Sequence, residues 1–170
     1  AIEPRSIVGI LCRFDISIVN PVTGKSVPYG EARVKGSGVI VSPQGHILTN
    51  RHVVFWTDPP QAAVSGGIEY TISTNVLPRR CEVGQIAEGV RLPSEDAIRT
   101  YNPGITVPVL GFTATPVYLS SVSDSNDRSS NEAALADFAV LKITGLTENA
   151  PTFGIVSVPE SFPYARLLPT

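Results

Sequence analysis

No apolar run in this chain is longer than Ile7–Cys12. A membrane-spanning helix needs roughly 20 apolar residues, so no membrane span is expected. Charge is also sparse, with charged residues at 16% and a formal net charge of −2. A phosphate backbone is held by a basic field, and this balance supplies none, which excludes nucleic acid as an expected partner. Methionine is absent. No long stretch keeps the apolar period of about 3.6 residues that marks a helix. The opening Ala1, Glu3, Pro4 and Arg5 lack the pattern of a secretory leader, so a processed chain is expected. Cysteine is limited to Cys12 and Cys81. No Cys–Cys or Cys–His cluster has metal-ligand spacing, so neither a metal nor a cofactor is expected. The pair fits either a disulfide in an oxidising compartment or two buried thiols.

Apolar residues make up 42% of the 170 positions, a globular balance that can bury one core. Fifteen prolines and fourteen glycines chop the chain into short segments. Short apolar segments between turn signals predict an all-β protein. Ser6–Val19 reads as a strand, broken near Asp15, and Asn20–Lys25 as a turn. Ala32–Ser42 reads as a strand whose Gly36-Ser37-Gly38 marks a bulge or a close backbone approach. Pro43-Gln44-Gly45 is a tight turn, His46–Thr49 the returning strand, and Asn50–Phe55 leaves the sheet. Ile68–Thr74, Arg80–Ala87 and Asp137–Ile143 complete the strand pattern. Gly89–Asn131 reads as irregular, with one short helix over Ser94–Thr100 and a polar surface loop over Ser120–Asn131. A helical turn is expected over Asn131–Leu135, and the tail after Pro151 reads as extended with no closing element. No repeat and no shift of composition marks a second domain. Trp56 reads as a lid over the core, and Arg79-Arg80 as a solvated turn or a cleavage site.

Two segments carry chemistry. One runs Gly36-Ser37-Gly38-Val39-Ile40-Val41 and then Gly45-His46-Ile47-Leu48-Thr49-Asn50-Arg51-His52-Val53-Val54. The other is Ala136-Asp137-Phe138-Ala139-Val140-Leu141-Lys142. Acyl transfer needs a base to take the proton of a weak nucleophile, and histidine titrates near neutrality. It also needs a carboxylate that fixes the imidazole tautomer and stabilises the imidazolium. A histidine beside two valines is by itself more often structural, and Asp137 alone reads as a strand-start residue.

Together the segments resemble the trypsin-like (chymotrypsin-fold) serine proteases, especially the HtrA type. There a Gly-Ser-Gly strand precedes a Thr-Asn-x-His segment, and an Asp-led apolar strand ending in Lys follows. The resemblance runs from about Ser6 to Ser161, with a gap in the middle. It implies that His52 is the general base and Asp137 the orienting acid. Thr49 and Asn50 would shape the loop, and the backbone N–H groups of Arg51 and His52 would approach the carboxylate. The implied fold is an antiparallel Greek-key six-stranded β-barrel, the first of the family's two barrels. Residues 1–155 would form it, with a long insertion at about 89–131, and residues 156–170 would cross toward a second barrel.

Three departures limit the likeness. Nothing after Asp137 resembles the family's Gly-x-Ser-Gly-Gly, and Ser65-Gly66-Gly67 lies before Asp137 and reads as a turn. The family's oxyanion hole belongs to the second barrel. The interval from His52 to Asp137 is longer than most members need. The expected function is therefore the N-terminal half of a serine endopeptidase acting on peptide or protein substrates. It would work with a C-terminal second barrel on the same or a separate chain, and by itself would cut nothing. Alternatives are a non-catalytic binding module on a half-protease scaffold and a protease of this fold with a cysteine nucleophile. Family habit points outside the cytoplasm, to the periplasm or secretion, and an exposed apolar face suggests a homodimer.

Overall fold

A computed structural model describes residues 4–85, 110–120 and 137–166. They form eight strands: β1 (Ile7–Val19), β2 (Ser26–Ile40), β3 (His46–Thr49), β4 (Gln61–Ser65), β5 (Ile68–Thr74), β6 (Arg80–Gln85), β7 (Phe112–Leu119) and β8 (Ala139–Leu146). One turn of α-helix, α1 (Arg51–Val54), lies between β3 and β4. The protein is all-β, and every pairing is antiparallel. Among the described residues no helix is long and apolar enough to cross a membrane.

The pairings close a ring of six strands in the order β1–β2–β3–β8–β7–β6, and β6 returns to β1. The ring is uneven. β1 and β2 pair from Ile7↔Val39 to Val19↔Ser26, whereas β2 and β3 share only Gly38↔Thr49 to Ile40↔Ile47. The long hairpin overruns the ring. β1 pairs with β6 over Val8–Arg13, then with β5 over Ile16–Val19, and β4 adds outside β5. A four-stranded overhang, β2–β1–β5–β4, thus grows from one end of the ring.

Side chains alternate across a strand, and in β1 this alternation aims Val8, Ile10, Cys12 and Phe14 inward, all at most 3% exposed. Ile40, Ile47, Val83 and Leu141 meet them from the other strands with no exposure at all. Truncating Ile10, Ile40, Ile47 or Leu141 to alanine would cost about 2–5 kcal/mol. Cys12 and Cys81 stand directly opposite each other in the β1–β6 ladder and form a disulfide. Of the two readings open for this pair, the bridge is the one found. Trp56 does cover the core, with its ring centroid 5.7 Å from that of Phe14.

The hairpin turn at 20–25 forms as its sequence requires. Asn20 Oδ1 accepts the Val22 N–H at 2.9 Å, and Gly24 takes a φ of 68°. Several elements depart from the sequence reading. β1 runs unbroken through Asp15, with a shift of register just beyond it at Ile16/Ser17. β2 begins at Ser26, well before the expected Ala32, because its pairing with β1 runs down to Val19↔Ser26. β4 carries no sequence pattern, being exposed along most of its length. β7 lies inside the 89–131 segment that reads as irregular, and its Pro116 sits where the register with β8 shifts. The expected helix over Ser94–Thr100 and helical turn over Asn131–Leu135 lie outside the described residues.

The tail also departs from expectation by closing one end of the ring. The Phe162 N–H donates to Pro43 O at 2.9 Å and the Ala165 N–H to Ile40 O at 2.8 Å. Phe162 is 4% exposed, edge-on to Phe112 with ring centroids 5.6 Å apart. Arg79 and Arg80 are no free turn. Arg79 meets Asp15 at 3.1 Å and Glu31 at 2.6 Å, and Arg80 forks onto Glu148 at 2.7 and 2.8 Å.

Candidate active site

The Gly-Ser-Gly segment has a steric purpose. A Cβ on Gly36 would sit 2.5 Å from Val53 Cγ2, so only glycine lets α1 lie against β2. A Cβ on Gly38 would come within 2.8 Å of the Leu48 carbonyl oxygen, so only glycine lets β3 lie so close to β2. Between them, Ser37 O accepts the Thr49 hydroxyl at 2.8 Å, which fixes the end of β3. Val53 and Val54 of α1 are buried at 3% and 0%. One helical turn that buries these two residues turns His52 outward, and its side chain is 62% exposed. Arg51 ties α1 to the end of β7, its Nε donating to Ser120 O at 3.1 Å.

Asp137 stands just before β8, and the chain around it is pinned. The Phe138 N–H donates to Ser120 Oγ at 3.2 Å, and the Ser120 N–H donates to Phe138 O at 3.0 Å. Both carboxylate oxygens are engaged. Oδ1 accepts the His52 backbone N–H at 3.0 Å. Oδ2 lies 2.7 Å from His52 Nδ1 and accepts Asn50 Nδ2 at 3.1 Å. Burial pushes the Asp137 carboxyl up, but the Asn50 amide, the His52 ring and the His52 N–H together hold it below its ordinary value.

These contacts settle the imidazole tautomer by partner chemistry. An ionised carboxylate can only accept, so Nδ1 carries the proton shared with Oδ2. In neutral His52 the lone pair then lies on Nε2, which has no protein partner among the described residues. Such a ring can take a proton at Nε2 while the carboxylate behind it stabilises the resulting cation.

The two residues singled out by sequence, His52 and Asp137, are therefore brought together. Of the two backbone N–H groups expected near the carboxylate, His52 supplies one, and Arg51 is instead engaged through its side chain. The direct contact of Asn50 with the carboxylate was legible only as loop shape. Ser65-Gly66-Gly67 is a hairpin turn, with Gly66 and Gly67 at φ 59° and 78°. A second histidine–serine contact joins His46 Nδ1 to Ser42 Oγ at 2.7 Å, but the His46 N–H also donates to that oxygen at 3.2 Å. This pair locks the 43–45 turn and has no carboxylate behind it among the described residues. Among the described residues no group of three His, Cys, Asp or Glu side chains is placed to hold a metal ion. No protein-family model matches the chain, and no curated protein matches it.

Proposed function

We propose that this chain is the N-terminal half of a trypsin-like serine endopeptidase. In this reading the six-stranded ring is the first Greek-key barrel of the family's double-barrel fold. His52 is the general base, Asp137 the orienting acid, and a second barrel supplies the serine and the oxyanion hole. The observation that carries the reading is the grip of Asp137 on both the ring and the backbone N–H of His52, with Nε2 left open.

The chemistry follows from that geometry. His52 Nε2 takes the proton of the serine hydroxyl as its oxygen attacks the peptide carbonyl, and returns it to the leaving amine. Water then repeats the cycle on the acyl-enzyme. Asp137 stays ionised and keeps the ring in one orientation. The Cys12–Cys81 bridge supports a site of action outside the cytoplasm, since such bonds persist in oxidising compartments.

A fluorophosphonate probe tests the proposal. The 170-residue chain alone should remain unlabelled. The chain joined to its second barrel should label on a serine of that barrel, and His52→Ala should abolish labelling. Labelling of the isolated chain, or labelling of the joined protein that ignores His52, would sink the assignment.

A further inference from the structure

The overhang β2–β1–β5–β4 ends in two edges. Among the described residues β4 pairs with β5 alone, and β2 meets β3 only from Gly38 onward. A free edge offers unpaired N–H and C=O groups to any other strand, and proteins guard such edges with charge and proline. The β2 edge is guarded by Pro28, Glu31, Arg33 and Lys35. The β4 edge, Gln61-Ala62-Ala63-Val64-Ser65, carries no charge and no proline, and Val64 is 73% exposed.

The face that leads toward β4 is largely apolar on β1, β2 and β5, and it ends on β4 in Gln61, Ala63 and Ser65, since Gln61 pairs with Ile72. Paired residues share a face and alternate residues return to it. Ile18 pairs with Val27 and with Ile72, and Tyr70 pairs with Ala63. Ile16, Ile18, Val27, Tyr70, Ile72 and Ala63 therefore line one surface. It continues the side of β1 that carries Phe14 into the core. Val27 is still 51% exposed there.

We infer that a second copy of this chain pairs with β4 edge to edge, antiparallel, across a two-fold axis at Ala63. The strand suits itself in that register. Gln61 faces Ser65, polar against polar. Ala62 faces Val64, small against large, and Ala63 faces its own copy. No charges meet in this register. The two four-stranded overhangs become one continuous sheet. Such an isologous contact closes at two copies. It goes beyond the protease reading and does not depend on it.

Sedimentation velocity on the 170-residue chain tests the contact. The wild type should sediment as a dimer. Val64→Lys adds an edge charge, and Glu69 on β5, which pairs with Val64, can neutralise it within the fold. This variant should lose the dimer boundary and sediment as a monomer, because an edge lysine opposes strand pairing, with an unchanged circular dichroism spectrum. Ala63→Cys supplies the second arm, because Cys12 and Cys81 are bridged and the new thiol is the free one. It should oxidise to a covalent dimer, while Val22→Cys at the exposed hairpin tip should not. A monomeric wild type, a dimer unaffected by Val64→Lys, or an Ala63→Cys thiol that links no faster than Val22→Cys would overturn the proposal. If Val64→Lys fails to fold, the crosslinking arm decides.

Discussion

Asp137 holds His52 twice, accepting its backbone N–H on Oδ1 at 3.0 Å and meeting its ring Nδ1 at 2.7 Å on Oδ2. The backbone bond fixes where α1 starts, and the ring contact fixes which way the imidazole faces. One carboxylate therefore sets both the position and the tautomer of the histidine, two properties that acid–base chemistry at Nε2 requires together.

The first prediction concerns acid. A carboxyl held below its ordinary value binds fewer protons in the folded state than in the unfolded chain. Its contribution to stability is complete above the ordinary carboxyl range and is lost as pH falls through the depressed folded value. Asp137→Asn should remove that part, so the difference between wild type and variant should shrink on acidification. Urea midpoints measured from neutrality to below about pH 4, the ordinary aspartate value, test this. A difference that stays constant with pH would refute it.

The second concerns Gly36. A methyl group there must push Val53, which neighbours His52. Gly36→Ala should cost about 1–3 kcal/mol by overpacking and move the NMR signals of the His52 ring. Unmoved ring signals would mean that β2 does not set the position of α1.

The third concerns the disulfide. Cys12 and Cys81 lie 69 residues apart in sequence. The double variant Cys12→Ala/Cys81→Ala should lose about 2–4 kcal/mol in urea unfolding, the usual effect of a native bridge. Both cysteines are fully buried, so reduction of the folded wild type should be slow until denaturant opens β1 from β6. Rapid reduction under native conditions would contradict this.

The fourth concerns the outer face of the hairpin. Arg33 hydrogen-bonds Glu31 and lowers its carboxyl, burial opposes the shift, and Arg13 and Arg79 lower it further. Glu31→Gln should leave these three cations without their shared partner and cost about 1 kcal/mol. The loss should shrink in high salt, which screens the remaining repulsion. Equal stability of the two proteins in low salt would show the cluster to be energetically idle.

What the sequence made legible follows burial. In β1 the alternation of Val8, Ile10, Cys12 and Phe14 exists because one side of the strand is dry and the other wet. β4 has no such contrast, since most of its residues are exposed, so no period could betray it. β7 was hidden by Pro116, and its pairing with β6 and β8 makes it a strand in spite of that residue. His52 and Asp137 were legible through flanking motifs, because the glycines that admit α1 leave a signature of their own. The partners of Arg79 and Arg80 were not legible, since Glu31 and Glu148 lie 48 and 68 residues away.

β1 belongs to the ring along one half and to the overhang along the other. The two are therefore joined by covalent backbone, and the bridge at Cys12 anchors that same strand shortly before the hand-over. A load applied to the overhang would travel along the strand as tension instead of being shed across a soft joint. A pull on the overhang therefore acts on the same strand that carries Cys12 and Phe14 in the core.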